Sequence, residues 1–361
     1  MAVHDMVGFG IVGAGMVADY HRQAIAANAG QGARLVGMGH HNPDRFAQIG
    51  AHFGVPCMSQ DELLGHPDVD VVCICTPSGY HAAQSISAAR SGKHVLVEKP
   101  MALSLCDADA MLAACDEAGV RLGVMLQRRV EPVFSRVYVA IRCGDLGELT
   151  LGAITIPYYR PQSYYEQADW RGTWALDGGG VLMNQGIHLV DLLVWYMGDP
   201  VQVQAAAATL HRNVEVEDTL AATLRFANGA LAAITATTTA APGFPHRVEV
   251  YGTDGGIQVE GESVVRWDLA NPRGAWVERP ESTAPGGAGA GSDPRGIALT
   301  GHIGIVRDFI QALRAGRAPA VDGQQGRRSL AAVTAIYQAA GLLSSPSQES
   351  EDEPCRQQLS H

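Results

Sequence analysis

Ile11-Val12-Gly13-Ala14-Gly15-Met16-Val17-Ala18 follows an apolar run that begins at Val7 and opens a helix-like segment that continues to about residue 28. The stretch has the form G-x-G-x-x-A. Gly13 permits the tight turn, Gly15 lets the backbone approach a pyrophosphate, and Ala18 allows close packing of helix on strand. The amino end of the helix, at Met16 and Val17, offers unsatisfied N–H groups and positive potential to a phosphate. In a strand-turn-helix context so near the start of the chain, the motif reads as a dinucleotide cradle rather than a mere tight turn.

Working outward, short apolar runs alternate with helical segments as far as Val124, the sequence form of a parallel sheet flanked by helices. Strands are expected near 7–12, 34–39, 70–75, 94–97 and 121–126, with helices near 16–28, 43–52, 59–65, 79–91 and 104–118. Ser59 with Glu62 fits a capping box, and Ser104 and Gly119 bracket the last of these helices with ordinary cap chemistry. After Gln127 the pattern changes to a helix near 129–143 and β-rich runs near 149–157, 201–210, 219–226, 230–239, 246–251 and 257–267. Asn228-Gly229 and Asp254-Gly255-Gly256 are hairpin signals, so these strands should be antiparallel neighbours. The expected class is α/β, with a Rossmann dinucleotide-binding domain over 1–126 and an α/β domain with a large open, mainly antiparallel sheet over 127–345. Segment 283–291 reads as a surface loop and 346–361 as a disordered tail.

Composition narrows the function classes. The chain has 361 residues, 47% of them hydrophobic, and 37 acids against 26 bases, for a net charge of −11. That balance argues against a general nucleic-acid or anionic-membrane surface. No stretch approaches a signal peptide or the roughly 20 apolar residues of a membrane span, so a cytoplasmic location is expected. Seven scattered cysteines make no disulfide framework. Cys73 and Cys75 lie in a strand-like run without a histidine cluster, so they read as buried thiols and no metal site is expected. Only Lys93 and Lys99 are lysines, which draws attention to both.

At the end of the second strand, where a carboxylate would normally accept bonds from the adenosine ribose, the chain has Gly39-His40-His41-Asn42. Asn42 could bond a ribose hydroxyl, and His40, His41 or Arg45 could face a phosphate. NAD is therefore expected with NADP possible.

Thr76-Pro77-Ser78-Gly79-Tyr80-His81, followed by Gly92-Lys93-His94-Val95-Leu96-Val97-Glu98-Lys99-Pro100, resembles the paired signature of the Gfo/Idh/MocA oxidoreductases, named for glucose-fructose oxidoreductase and inositol dehydrogenase. The resemblance extends through Gly178-Gly179-Gly180 and the segment from His188 to Asp191 to the final helices. It implies a bound nicotinamide cofactor, touched by Thr76, Pro77, His81, Glu98, Lys99 and Gln127 beside the glycine turn, and oxidation or reduction of a sugar or polyol carbon. The residues support that role for Lys99. An alcohol gives up a hydride readily only if its proton leaves as the carbonyl forms, and a cation beside the oxygen lowers the barrier. Lys99 follows a core strand at the edge where doubly wound folds bind ligands, and Pro100 favours an extended backbone before it.

The base is expected from the other domain. The matching family histidine is His188, commonly with an aspartate one helical turn earlier, where this chain has Asn184. Asn184 and His188 are four apart on an expected helix over 184–197 and would share a face. An amide cannot take up a proton usefully, which leaves His188 as the general acid/base. Tyr158, Tyr159, Arg160, Tyr164, Tyr165, Trp170, Arg171 and Trp174 form a segment whose aromatic faces could stack on sugar or base and whose arginines could grip an anion. Tyr158, Arg160, Trp170 and Arg171, with Lys99, Asn184 and His188, are the expected substrate contacts. The pattern is similar to family members that oxidise the 3-hydroxyl of UDP-N-acetyl sugars. A redox-neutral NAD-dependent glycosidase and a non-enzymatic sugar or dinucleotide sensor remain alternatives.

Leu231 to Thr239 carries small apolar or threonine side chains on both faces instead of alternating with charge. Too few helices remain to cover both faces of a sheet of about six strands, so a second copy should cover one, giving a homodimer or homotetramer.

Overall fold

The computed structural model describes residues 6–270, Gly291 and 298–344. The expectations for the rest of the glycine-rich segment and for the tail 346–361 fall outside the described residues. The described residues form two compact units, one built from residues 6–127 together with Leu299–Arg327, the other from the described residues between 128 and 298 and from residues 328–344.

The first unit alternates β1 (Val7–Val12), α1 (Met16–Ala27), β2 (Ala33–Gly39), α2 (Phe46–Phe53), β3 (Cys57–Met58), α3 (Gln60–Gly65), β4 (Val71–Ile74), α4 (His81–Arg90), β5 (His94–Val97), α5 (Leu105–Ala118) and β6 (Leu122–Val124). Its six parallel strands run in the order β3-β2-β1-β4-β5-β6, the doubly wound order. β1 and β4 are buried along their whole length, as strands covered on both faces must be. The expected caps are present. Ser59 and Glu62 exchange both bonds of a capping box, Ser104 accepts from the Asp107 amide, and Gly119 closes α5 in the left-handed conformation. β3 was not expected, because two residues are too short to show a period.

In the second unit α6 (Pro132–Arg142) precedes β7 (Leu149–Pro157), α7 (Gln162–Tyr165) and α8 (Ile187–Met197), followed by β8 (Pro200–Ala208), β9 (Thr219–Phe226), β10 (Leu231–Thr237), β11 (Arg247–Gly252), β12 (Gly255–Glu260) and β13 (Ser263–Leu269). These form a seven-stranded sheet ordered β13-β12-β11-β7-β10-β9-β8, antiparallel except where β10 runs parallel to β7. The run expected as one strand over 257–267 is a hairpin. Gly261, with φ of +59°, turns the chain between β12 and β13. α8 packs its Leu193 and Met197 on Gly152 of β7, and the opposite sheet face carries the outward residues of β9 and β10.

α9 (Leu299–Ala315) returns to the first unit, whereas the sequence reading grouped 127–345 as one domain. It buries Ile305, Val306, Phe309 and Ile310, lies on α1, and accepts a bond from Asn28 at the Ile303 carbonyl, 3.0 Å away. Phe309 fills the space that a side chain at Gly123 of β6 would need. α10 (Gly323–Ala339) is the last described helix. Among the described residues no helix is long and apolar enough to cross a membrane, and no cluster of His, Cys, Asp and Glu could hold a metal ion.

Candidate active site

In the first unit the turns after β1, β4 and β5 lie at the carboxyl edge of the sheet, where β1 and β4 flank the switch in strand order. Gly13 has φ of +100°, and a Cβ there would stand 2.6 Å from the Cys75 carbonyl oxygen, so only glycine lets the β1 and β4 turns meet. Gly15 is different, because a Cβ built on it meets nothing within 4 Å. It leaves open space before α1, whose amino end has no side-chain cap. Gly15, Met16 and Val17 thus fit a pyrophosphate, with main-chain amides and the helix dipole directed at it.

The loop after β2 is more committed than its sequence suggested. Asn42 Oδ1 accepts from the Asp44 amide at 2.9 Å, His40 Nδ1 accepts from the Asn42 amide at 3.1 Å, and the His40 and His41 rings stack 4.4 Å apart. Burial lowers the His40 pKa, so this ring is neutral at pH 7. His41 and Arg45 are exposed.

Two clusters fix the Lys99 turn. The His81 ring bridges the Pro100 carbonyl at 2.7 Å and the Thr76 carbonyl at 2.9 Å, tying the turn after β4 to the turn after β5. Thr76 also donates to Gln84. Beneath Lys99, the Glu98 side chain is buried, with Oε1 2.9 Å from His21 Nε2 on α1 and 3.8 Å from His302 Nε2 on α9, while Oε2 accepts from the Lys99 amide at 3.2 Å. Burial pushes the Glu98 pKa up, but the two imidazoles more than offset it and hold the carboxyl well below the usual range. The Lys99–Pro100 peptide is cis. Gln127 is buried at the end of this unit, and its side-chain carbonyl meets no partner among the described residues, as suits an amide that awaits a ligand.

In the second unit the expected helix over 184–197 begins differently. Val181–Gly186 is π-helical and the α-helix starts only at Ile187. The step from Asn184 to His188 crosses that junction. A carboxylate that the sequence analysis did not single out lies beside Asn184. Asp177 is buried, its Oδ1 accepts from Asn184 Nδ2 at 2.5 Å and its Oδ2 from the Gly172 amide at 2.9 Å. His188 is buried on the first turn of α8.

The aromatic segment divides. Tyr158 is buried with its hydroxyl 3.0 Å from His246 Nδ1, and Tyr165 donates to Thr238. Arg160 is buried between Tyr158 and Tyr164 and donates to the Tyr159 and Gly291 carbonyls. Arg171 lies 4.3 Å over Tyr164 and 4.8 Å over Trp170, and its buried Nε meets no acceptor among the described residues. Arg171 and Trp170 are therefore the members of this segment best placed for a ligand, while Tyr158 packs within the fold.

Sequence reasoning also missed Glu217 and Tyr337. Glu217 is buried and accepts from the Gly180 amide at 2.8 Å, the Leu182 amide at 2.9 Å and the Tyr337 hydroxyl at 2.8 Å. No local pattern marks such contacts, since the partners are 35 to 120 residues apart.

Comparison with known proteins agrees with both units. Residues 7–126 match the oxidoreductase family with an NAD-binding Rossmann fold, and residues 134–258 match the GFO/IDH/MocA C-terminal domain. A 1,5-anhydro-D-fructose reductase of Ensifer adhaerens is 31% identical over 92% of this chain and 96% of its own length. A myo-inositol 2-dehydrogenase of Thermotoga maritima is 27% identical over 89% of this chain and 92% of its own. Among solved structures, the WlbA dehydrogenase from Bordetella pertussis, in complex with NADH and UDP-GlcNAcA, superposes with a TM-score of 0.83 at 35% identity, covering 94% of this chain and 97% of that one. The chain belongs to the Gfo/Idh/MocA family of NAD-binding oxidoreductases.

Proposed function

We propose that this oxidoreductase moves a hydride between NAD and a secondary alcohol of a sugar, and that the sugar is a nucleotide sugar bearing an acid group, oxidised at its 3-hydroxyl. The observation that carries the redox reading is the Lys99 turn, fixed at the carboxyl edge of β5 by Glu98 and His81 beside the Gly13 to Val17 cradle. The nicotinamide, when bound, supplies the hydride chemistry. Lys99 places an ammonium for the alcohol oxygen and stabilises the charge that develops there. His188 is the general acid/base for the hydroxyl proton, and Asn184, held by Asp177, orients the sugar.

The nucleotide-sugar reading is supported by Arg171, whose buried Nε, between two aromatic faces, lacks an acceptor among the described residues, and by the ligand named for the Bordetella structure. No carboxylate occupies His40-His41-Asn42, so NADP is tolerated beside NAD. The enzyme works as a homodimer or homotetramer through the open sheet face. Leu151 and Leu231, paired across β7 and β10, are 44% and 47% exposed there, beside outward Ala221, Ala233 and Thr235. An apolar sheet face of this extent suits a second copy.

Substitution tests the catalytic assignment. Lys99→Ala is expected to abolish turnover while NADH still binds, and His188→Ala to lower the rate by about 10² to 10⁴, as loss of a general acid/base does. Wild-type turnover in either variant refutes that residue's role.

A further inference from the structure

The π-helical turn Val181–Gly186 begins where a helix has amides without helical acceptors. No side chain next to it in sequence caps it. Its amides are met instead by two side chains from distant elements. The Glu217 carboxylate, just before β9, accepts from Gly180 through Oε2 and from Leu182 through Oε1. The Tyr337 hydroxyl, from α10, donates to Glu217 Oε1 and accepts from the Met183 amide at 3.1 Å. Two buried side chains thus hold three main-chain amides at the start of the segment that carries Asn184 and leads to His188.

The neighbouring glycines leave no slack. A Cβ on Gly180 would run into the Glu217 main-chain carbonyl, and one on Gly179 would meet the Tyr337 ring. Gly179-Gly180 is therefore closely packed. On its other side the turn is tied to the candidate site, because the Asn184 amide donates to the Gly180 carbonyl at 2.9 Å and the Asn184 side chain reaches Asp177.

We propose that Glu217 is a positioning residue for the reaction: with Tyr337 it clamps the π-helical turn, and its negative charge is needed to keep Asn184 and His188 in their working places. The inference rests on the roles proposed above for those two residues. Its physical basis is the count of donors. Four donors, the Gly180, Leu182 and Glu217 amides and the Tyr337 hydroxyl, point at the two oxygens of Glu217. An ionised carboxylate has about four lone-pair sites and accepts all of them, whereas a carboxylic acid gives one site to its own O–H, and at least one bond is lost. Burial pushes the Glu217 pKa up to about 7, with the Leu182, Tyr337 and Gly180 bonds acting against it. The titratable group that faces it is Tyr337 from α10, itself held protonated by burial and by Glu217, while the π-helical turn meets it with main-chain amides. The clamp is therefore intact above neutrality and weakens as pH falls through about 7.

The test compares Glu217→Gln with wild type in steady-state turnover across pH, alongside NADH binding by fluorescence. Gln keeps the shape but turns an NH₂ toward a donor at every pH. The expected result is kcat lower by about 10-fold to 100-fold, the effect of a small misplacement of reacting groups, with NADH affinity unchanged. The ionisation near 7 expected of Glu217 in the wild-type profile should be missing from the variant's. Glu217→Asp, which keeps the charge, should recover part of the rate. If Glu217→Gln does not fold, Tyr337→Phe serves, since it keeps the ring and removes a donor that stabilises the anion, so the wild-type ionisation should move to higher pH. A kcat and pH profile superposable on wild type in Glu217→Gln, or an unmoved ionisation in Tyr337→Phe, overturns the proposal. His188→Ala measured in the same assay separates the two readings. If it retains turnover, the acid/base assignment fails; if it is inactive while Glu217→Gln is silent, only the clamp fails.

Discussion

Replacing Glu98 by alanine tests whether the Lys99 turn is fixed as described. The carboxylate is buried beneath Lys99 and accepts from His21 Nε2 at 2.9 Å and from the Lys99 amide at 3.2 Å, with His302 Nε2 at 3.8 Å. Glu98→Ala leaves the first two donors buried without an acceptor, and each orphaned donor costs about 1–3 kcal/mol, for a loss of about 2–6 kcal/mol at pH 7. The pH dependence has a definite sign. The folded-state pKa is depressed well below 4.5, so the carboxylate's contribution is fully present above the unfolded value and is lost as pH falls through the folded one. Urea denaturation at neutral and acidic pH measures both effects. Wild type should lose more stability than the variant on acidification, and the gap between them should narrow. A loss below about 1 kcal/mol at pH 7 would show that the buried donors find other partners and that Glu98 does not fix the turn.

Two further outcomes follow from the sheet face and the ribose loop. Ala233→Arg with Thr235→Arg places two charges on the outward face of β10 and should convert the wild-type assembly to monomers in light scattering; a wild type that is already monomeric at micromolar concentration contradicts the interface. Titration of both cofactors should show NAD preferred with measurable NADP binding, and complete rejection of NADP would mean that a carboxylate such as the exposed Asp44 faces the ribose.

The first unit was almost fully legible in the sequence because its signals are local. Capping residues, the G-x-G-x-x-A turn and apolar runs each act within a few positions, and Ser59, Ser104, Gly119 and Gly13 all do what their residue types dictate. The second unit was legible in class but not in detail. Gly261 lies in an otherwise continuous β-like run, and only the pairing of β12 with β13 reveals it as a turn. The Asn184 region has the apolar period of an α-helix, yet its first turn is π-helical, and Glu217 and Tyr337 supply acceptors to it that no local pattern announces. Asp177 was hidden for the same reason. It stands seven residues from Asn184 beside three glycines, where composition suggests a flexible turn, yet Gly179 and Gly180 are closely packed. α9 has an unremarkable amphipathic pattern, and nothing in its residues says which unit it covers.

The most direct test of the account is to incubate the protein with NAD and a panel of acidic UDP-N-acetyl sugars, neutral nucleotide sugars and inositols, following NADH absorbance and product mass together. The account predicts that an acidic nucleotide sugar gives NADH in equal amount to a product lighter by a pair of hydrogens, and that Lys99→Ala gives neither. Cleavage of the sugar without net NADH, or tight NADH binding with no redox change on any member of the panel, would contradict it.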